Sequence, residues 1–192
     1  MTLTTLDDRT ALVIIDLQQG IAAAPTQPHA ATDVVSRTAE LARAFRRRDL
    51  PVLPVRVSFA DDGADLLPGR TEQPRTARAT PDGWDRLVDE LVDQRDSVVT
   101  KHNWNAFHGT DLDVQLRRRG VTQIVLTGIA TSIGVESTAR AAYEHGYHVT
   151  LATDAMSDLS EDAHHHSIGW IFPRLGETGT TAEVLALLAD RD

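Results

Sequence analysis

The stretch IVLTGIATSIGVESTARAAYEHGYHV, residues 124–149, decides the fold. It begins with an apolar run, Ile124–Thr127, that lacks the alternation of a half-exposed strand, so it reads as a strand covered on both faces. A turn follows, Gly128-Ile129-Ala130-Thr131-Ser132-Ile133-Gly134, and then a helical pattern, Val135–Glu144, that stops at His145-Gly146. His148–Thr153 (HVTLAT) is apolar again. Strand, helix and strand in that order require a crossover connection, which joins parallel strands.

The same rhythm continues outward in both directions. Ala11–Asp16 (ALVIID) and Val52–Val57 (VLPVRV) read as further buried strands, Ser97–Thr100 as a shorter one and Glu177–Thr178 as a weak last one. Between them, Ala31–Arg48 places Val34, Val35, Thr38, Leu41, Ala42 and Phe45 on one helical face. Trp84–Val92 shows similar spacing in Leu87, Val88, Leu91 and Val92, and predicts a helix. Thr110–Arg119 predicts a helix capped by Thr110 and ended by Gly120, and Thr180 with Glu183 forms a capping box ahead of Val184–Ala189. The expected fold class is α/β, a parallel sheet with helices on both faces, in one domain over residues 1–192. Ala60–Pro81 breaks the rhythm and reads as a long surface loop, either a lid, an interface arm or a solvated excursion.

Composition bounds the function. The 192-residue chain carries 28 acidic against 19 basic side chains, a formal charge of −9. That balance argues against nucleic acid or an anionic membrane surface as partner. There is no cysteine, which excludes disulfides, thiolate metal sites and a catalytic thiol. Residues 1–8 lack the basic flank and apolar run of a signal peptide, and no stretch approaches a membrane span, so a cytoplasmic location is expected.

Ligands of open α/β sheets bind beyond the carboxyl ends of the strands, so candidate residues are those where apolar runs stop. Asp16 ends the first run, Lys101 follows Val98–Thr100, the Gly128–Gly134 turn follows Ile124–Thr127, and Asp154 follows Leu151–Thr153. An Asp–Lys pair can be tuned for proton transfer, because burial raises the carboxyl pKa and the cation lowers it. A helix cap or a structural ion pair would use the same residues. Lys101 opens KHNWNAF, where Trp104 and Phe107 offer apolar walls for a pocket or packing for the next helix. The turn's backbone N–H groups suit an oxyanion or carboxylate. It is no dinucleotide fingerprint, since Gly-x-Gly-x-x-Gly is missing. His164-His165-His166 point in different directions on a helix and read as a solvated face; no spacing supports a metal.

Together these segments resemble the isochorismatase-like (cysteine hydrolase) family over nearly the whole chain. ALVIIDLQQG is similar to the family's first strand with its catalytic Asp. VVTKHNWNAFHGTDLDVQLRRRGV is similar to the segment with its Lys, IVLTGIATSIGVESTARAAYEHGYHV to the nucleophile turn, and ATDAMSD with IFPRLGETGTTAEVLALL to the C-terminal part. The resemblance implies a three-layer α/β/α sandwich with a mainly parallel, Rossmann-like sheet of about six strands. It implies Asp16 as general acid/base and Lys101 as charge partner, with Gly134 at the position of the nucleophilic cysteine. It also implies a cis peptide between Ile129 and Ala130, an oxyanion hole from the Ala130 and Gly134 N–H groups, and Ala130, Thr131, Trp104 and Phe107 near the substrate.

Nicotinamidase members add an Asp/His metal site after the second strand. Here that region reads RVSFAD, so no metal and no cofactor carries over. Without the thiol, amidase chemistry through a thioester is not expected. The family's isochorismatases also lack the Cys and hydrolyse a vinyl ether by protonation from the Asp. The GTDL-x-x-QLRRRG and IGVESTAR segments are similar to a cysteine-less, YecD-like branch. The resemblance thus implies a hydrolase of a small, anionic metabolite, with a silent ligand-binding or regulatory protein as the alternative, and self-association as a homodimer or homotetramer.

Overall fold

The computed structural model describes residues 3–66, 69–72 and 81–190. Six strands, β1 (Thr10–Ile15), β2 (Val52–Val57), β3 (Val99–Lys101), β4 (Gln123–Ile129), β5 (His148–Ser157) and β6 (Glu177–Gly179), form one sheet in the order β3-β2-β1-β4-β5-β6. Every pairing is parallel. The helices are a single turn α1 (Gln19–Ala22), α2 (Ala31–Arg47), α3 (Leu112–Arg118), α4 (Glu136–Glu144), α5 (Glu161–His166) and α6 (Thr181–Ala189). The expected three layers are present, because strand side chains alternate between two cores. Leu12 and Ile14 of β1 join α2 and α6 on one face. Ala11, Val13 and Ile15 join α3 and α4 on the other.

The order reverses beside β1, whose neighbours are β2 and β4, so a crevice opens beyond the carboxyl ends of β1 and β4. Gly128 sits opposite Ile15 in the register with φ +130°, and a side chain there would run into the Ile15 carbonyl. Glycine is what lets these two strands close at the site.

Three sequence expectations change. Trp84–Val92 is not a helix: only Asp89–Leu91 makes a 3₁₀ turn. Trp84–Val88 instead runs antiparallel along residues 17–20, with Gln19 N–H donating to the Arg86 carbonyl (2.8 Å) and Gly20 N–H to that of Trp84 (2.9 Å). The indole of Trp84 lies against Gly20, where any Cβ would collide with it. Leu87, Val88 and Leu91 are buried as their spacing implied, but a neighbouring backbone supplied the partners that a helix would have found internally.

β5 does not stop at Thr153 either. Its register with β4 shifts between Leu126 and Gly128, and it continues to Ser157. The helix expected from Thr110 starts at Leu112, whose N–H donates to Thr110 Oγ1 at 3.2 Å, and Gly120 follows its end with φ +66°. The capping box of Thr180 and Glu183 is formed as expected. Of Ala60–Pro81, residues 60–66, 69–72 and 81 are described and form turns and irregular chain; the rest lies outside the described residues.

Candidate active site

The crevice collects three side-chain positions from three strands. Asp16 follows β1 in a left-handed conformation, φ +55°, that only a small share of non-glycine residues adopt. Its Oδ2 lies 2.8 Å from Nζ of Lys101 at the end of β3, and Nζ also donates to the Asn103 carbonyl at 2.9 Å. Both side chains are buried, Asp16 at 5% and Lys101 at 2% exposure. Lys101 is the only lysine in the sequence.

Asp16 Oδ1 is buried too, and has no hydrogen-bond partner among the described residues. An orphaned carboxylate oxygen is costly to bury unless it is protonated or meets a ligand. Burial raises the Asp16 pKa to about 6, against the opposing pull of the Lys101 charge and its hydrogen bond. Because Oδ2 accepts from Lys101, the proton belongs on Oδ1.

Gly134 completes the group. A Cβ built there would lie 2.9 Å from Ile15 Cγ2, 3.1 Å from Asp16 Oδ2 and 3.7 Å from the Trp104 carbonyl. The position therefore looks onto the carboxylate, and a side chain would press on Asp16 and Ile15. The preceding Ile129–Ala130 peptide is cis. The Ala130 N–H has no hydrogen-bond partner among the described residues, whereas Ser132 N–H donates to Asp158 Oδ2 at 2.6 Å. Thr131–Val135 forms a π-helical turn that runs directly into α4.

The other expected binding residues fare differently. Trp104 has a half-exposed indole, and its backbone carbonyl lines the position over Gly134. Phe107 is buried with its ring stacked on His145 (centroids 5.0 Å apart) and tilted against Tyr147, at the far end of α4 from Gly134. Thr131 is fully buried, and its hydroxyl is engaged with the Ser157 carbonyl (3.0 Å) and His164 Nδ1 (2.8 Å). Asp154 is not at a strand end: its Oδ1 accepts from the N–H and Oγ1 of Thr181, the first residue of α6. Arg56 is also turned to structure, bonding Thr100 Oγ1 and Asp85.

Two residues were missed. Gln18 is fully buried, and its amide bridges the Val57 N–H and carbonyl (2.9 and 3.1 Å), fixing the chain just after Asp16 against β2. No spacing marks it: Gln18 is one of two adjacent glutamines after Leu17, and only the pairing with β2 tells it from the exposed Gln19. His164 is buried at 2% exposure, which corrects the solvated reading of the histidine run for that residue; His165 and His166 are exposed. Among the described residues there is no group of three His, Cys, Asp or Glu side chains placed to hold a metal ion. No helix there is long and apolar enough to cross a membrane. A surface cleft of about 510 Å³ lies at the amino ends of the strands, beside Arg9, Arg46 and Arg119. It contains none of these residues, so the crevice is defined by its chemistry and not by its volume.

Residues 10–183 match the Isochorismatase domain family. The chain is 44% identical over 180 residues to the isochorismatase family protein YecD of Escherichia coli O157:H7, covering 93% of this chain and 96% of that one. It is 46% identical over 180 residues to YwoC of Bacillus subtilis, covering 92% and 93%. A solved isochorismatase family protein from Burkholderia thailandensis superposes with a TM-score of 0.93 at 53% identity, over 96% of this chain and 98% of that one. With the fold and the sequence in agreement, the chain belongs to the isochorismatase family, in its cysteine-less, YecD-like branch.

Proposed function

We propose that this chain is a hydrolase driven by proton transfer from Asp16, acting on a small anionic metabolite without a covalent intermediate. The observation that carries this reading is a buried carboxyl group with a pKa near 6, whose Oδ1 has no partner among the described residues while its Oδ2 lies 3.1 Å from the empty side-chain position of Gly134. A group with that pKa can hold a proton and release it close to neutral pH.

Enol-ether (vinyl-ether) hydrolysis fits these groups. Asp16 Oδ1 delivers its proton to the terminal carbon of the double bond, and the adjoining carbon becomes an oxocarbenium ion. Water adds to that carbon and returns a proton to Asp16. The hemiketal then collapses to an alcohol and a carbonyl compound. Lys101 keeps the carboxylate formed in the first step from standing alone in an apolar setting. The Ala130 N–H offers a donor to a substrate carboxylate. Gly134 leaves room where a thiol would otherwise stand between Asp16 and the substrate.

The test is turnover of isochorismate and simpler carboxylated vinyl ethers by purified protein, with Asp16→Asn alongside. Product formation abolished by Asp16→Asn supports the reading. Turnover that survives the substitution sinks it. The absence of any thiol favours a second reading, a ligand-binding protein on the same scaffold. That reading expects ligand-induced thermal shifts across the same panel with no product.

A further inference from the structure

We propose that His164 is a positioning residue for the turn carrying Ala130 and Gly134, and that it acts through the hydroxyl of Thr131. This rests on the reading that the turn faces the reacting atoms.

Thr131 Oγ1 has a single hydrogen and two close partners, the Ser157 carbonyl at 3.0 Å and His164 Nδ1 at 2.8 Å. A carbonyl oxygen only accepts, so the hydroxyl donates to Ser157. The second contact is then favourable only if His164 donates through Nδ1–H and Thr131 accepts. In the neutral ring that leaves the lone pair on Nε2. The ring is nearly inaccessible, and burial lowers its pKa to about 4, so it is neutral at ordinary pH.

The direction of these bonds defines a clamp. β5 supplies the Ser157 carbonyl, α5 supplies His164, and Thr131 is held between them immediately after Ala130. Asp158 adds a second tie, its Oδ2 accepting from Ser132 N–H while Oδ1 accepts from Leu159 N–H. These partners come from β5 and the chain that follows it, on the far side of β4 from β1 and Asp16. His164 makes no hydrogen bond or ion pair with Asp16 or Lys101. Its chemistry is therefore to fix where the turn's N–H groups point.

Three measurements test this on the full chain. Long-range proton–nitrogen correlation of the histidine rings, assigned by the signal lost in His164→Asn, should show the Nδ1–H tautomer; an Nε2–H ring overturns the proposal. Hydrogen exchange of the peptide spanning 130–136 should rise about tenfold in His164→Leu and in Thr131→Val. The double variant should be no faster than either single one, and His164→Asn, which keeps an N–H near the place of Nδ1, should stay within about twofold of the parent.

An unchanged rate in folded His164→Leu, or equal rates for Asn and Leu, overturns it. Should His164→Leu not fold, Thr131→Val and the tautomer carry the same decision. Finally, in a Gly134→Cys background, alkylation by iodoacetamide reports the turn's donors directly. It should slow about tenfold, one pKa unit in the thiol, with His164→Leu and recover with His164→Asn. Equal alkylation rates in all three overturn the proposal. None of these readouts needs turnover, so failure of the hydrolase reading shows separately in the Asp16→Asn assay.

Discussion

On one side of the Ala130–Gly134 turn, Asp16 and Lys101 pair with each other but leave one carboxylate oxygen without a partner among the described residues. Behind it, the Thr131 hydroxyl has both a donor and an acceptor, in His164 and Ser157. Both clusters are buried and both contain a titratable group, yet burial shifts the two in opposite directions. It raises Asp16 to about 6, because the charged form of an acid is the one desolvated. It lowers His164 to about 4, because the charged form of a base is. The front cluster retains an unmet bonding demand where a ligand would approach, and the rear one keeps its neighbours in register. Unsatisfied polarity, more than burial or charge, separates the candidate reacting group from its support.

The largest effect expected on this contrast comes from breaking the front pair. Asp16→Asn should abolish turnover and leave Lys101 buried without a countercharge, at a cost of about 3–5 kcal/mol in denaturant unfolding. The double variant Asp16→Asn, Lys101→Met should recover most of that stability and none of the activity. A single variant as stable as the parent would show that the pair is solvated.

Next, Phe107→Ala should cost about 3 kcal/mol through the cavity it leaves, whereas Trp104→Ala should cost less than about 0.5 kcal/mol. If either changes ligand affinity, it should be Trp104. Calorimetric Tm values and ligand titrations of the two variants separate these roles.

The rear cluster gives a smaller number. His164→Leu should destabilise by about 1–3 kcal/mol, read from unfolding curves, as expected for losing one buried bond. The contribution of His164 to stability should then fall as pH falls from about 6.5 toward 4, because the folded state resists protonating His164 while the unfolded state does not. Asp16 works the other way: it gains stability as pH falls through about 6 toward its ordinary value, since the folded state takes up the proton first. The two contributions oppose each other and are similar in size, so removing the titrating ring with His164→Asn should uncover the Asp16 gain: the variant should gain stability relative to the parent as pH falls from about 6.5 toward 4, which unfolding curves at pH 4–7 would reveal. Activity should follow Asp16 alone, falling about tenfold per unit above pH 6 if the protonated carboxyl is the acid.

The sheet was legible because fully buried strands are apolar without interruption, and all six were found, with ends off by a few residues. Trp84–Val92 failed because its helical spacing served a different end: the segment zips along residues 17–20, and no local pattern announces a partner more than sixty residues away. Asp16, Lys101 and Gly134 were reachable, since strand ends and the family resemblance point to the same three positions. His164 was not. It lies 33 residues from Thr131 in sequence, and its neighbours His165 and His166 are solvent-facing, so only the docking of α5 behind the turn distinguishes it. Asp154 misled in the opposite sense, because the register shift in β5 turns an apparent strand end into a cap for α6.

The solitary lysine has a practical side. Eighteen of the nineteen basic residues are arginine, so an amine-selective reagent finds only one side-chain target in the protein, and it sits at the bottom of the crevice. Acylation or reductive methylation of that amine, read from the mass of the peptide that carries Lys101 so that the terminal α-amine is not counted, reports the accessible crevices. A ligand that fills the site should slow modification of the Lys101 peptide, and one that binds elsewhere should leave it alone. Compounds can thus be ranked for occupancy of the crevice before any reaction has been identified.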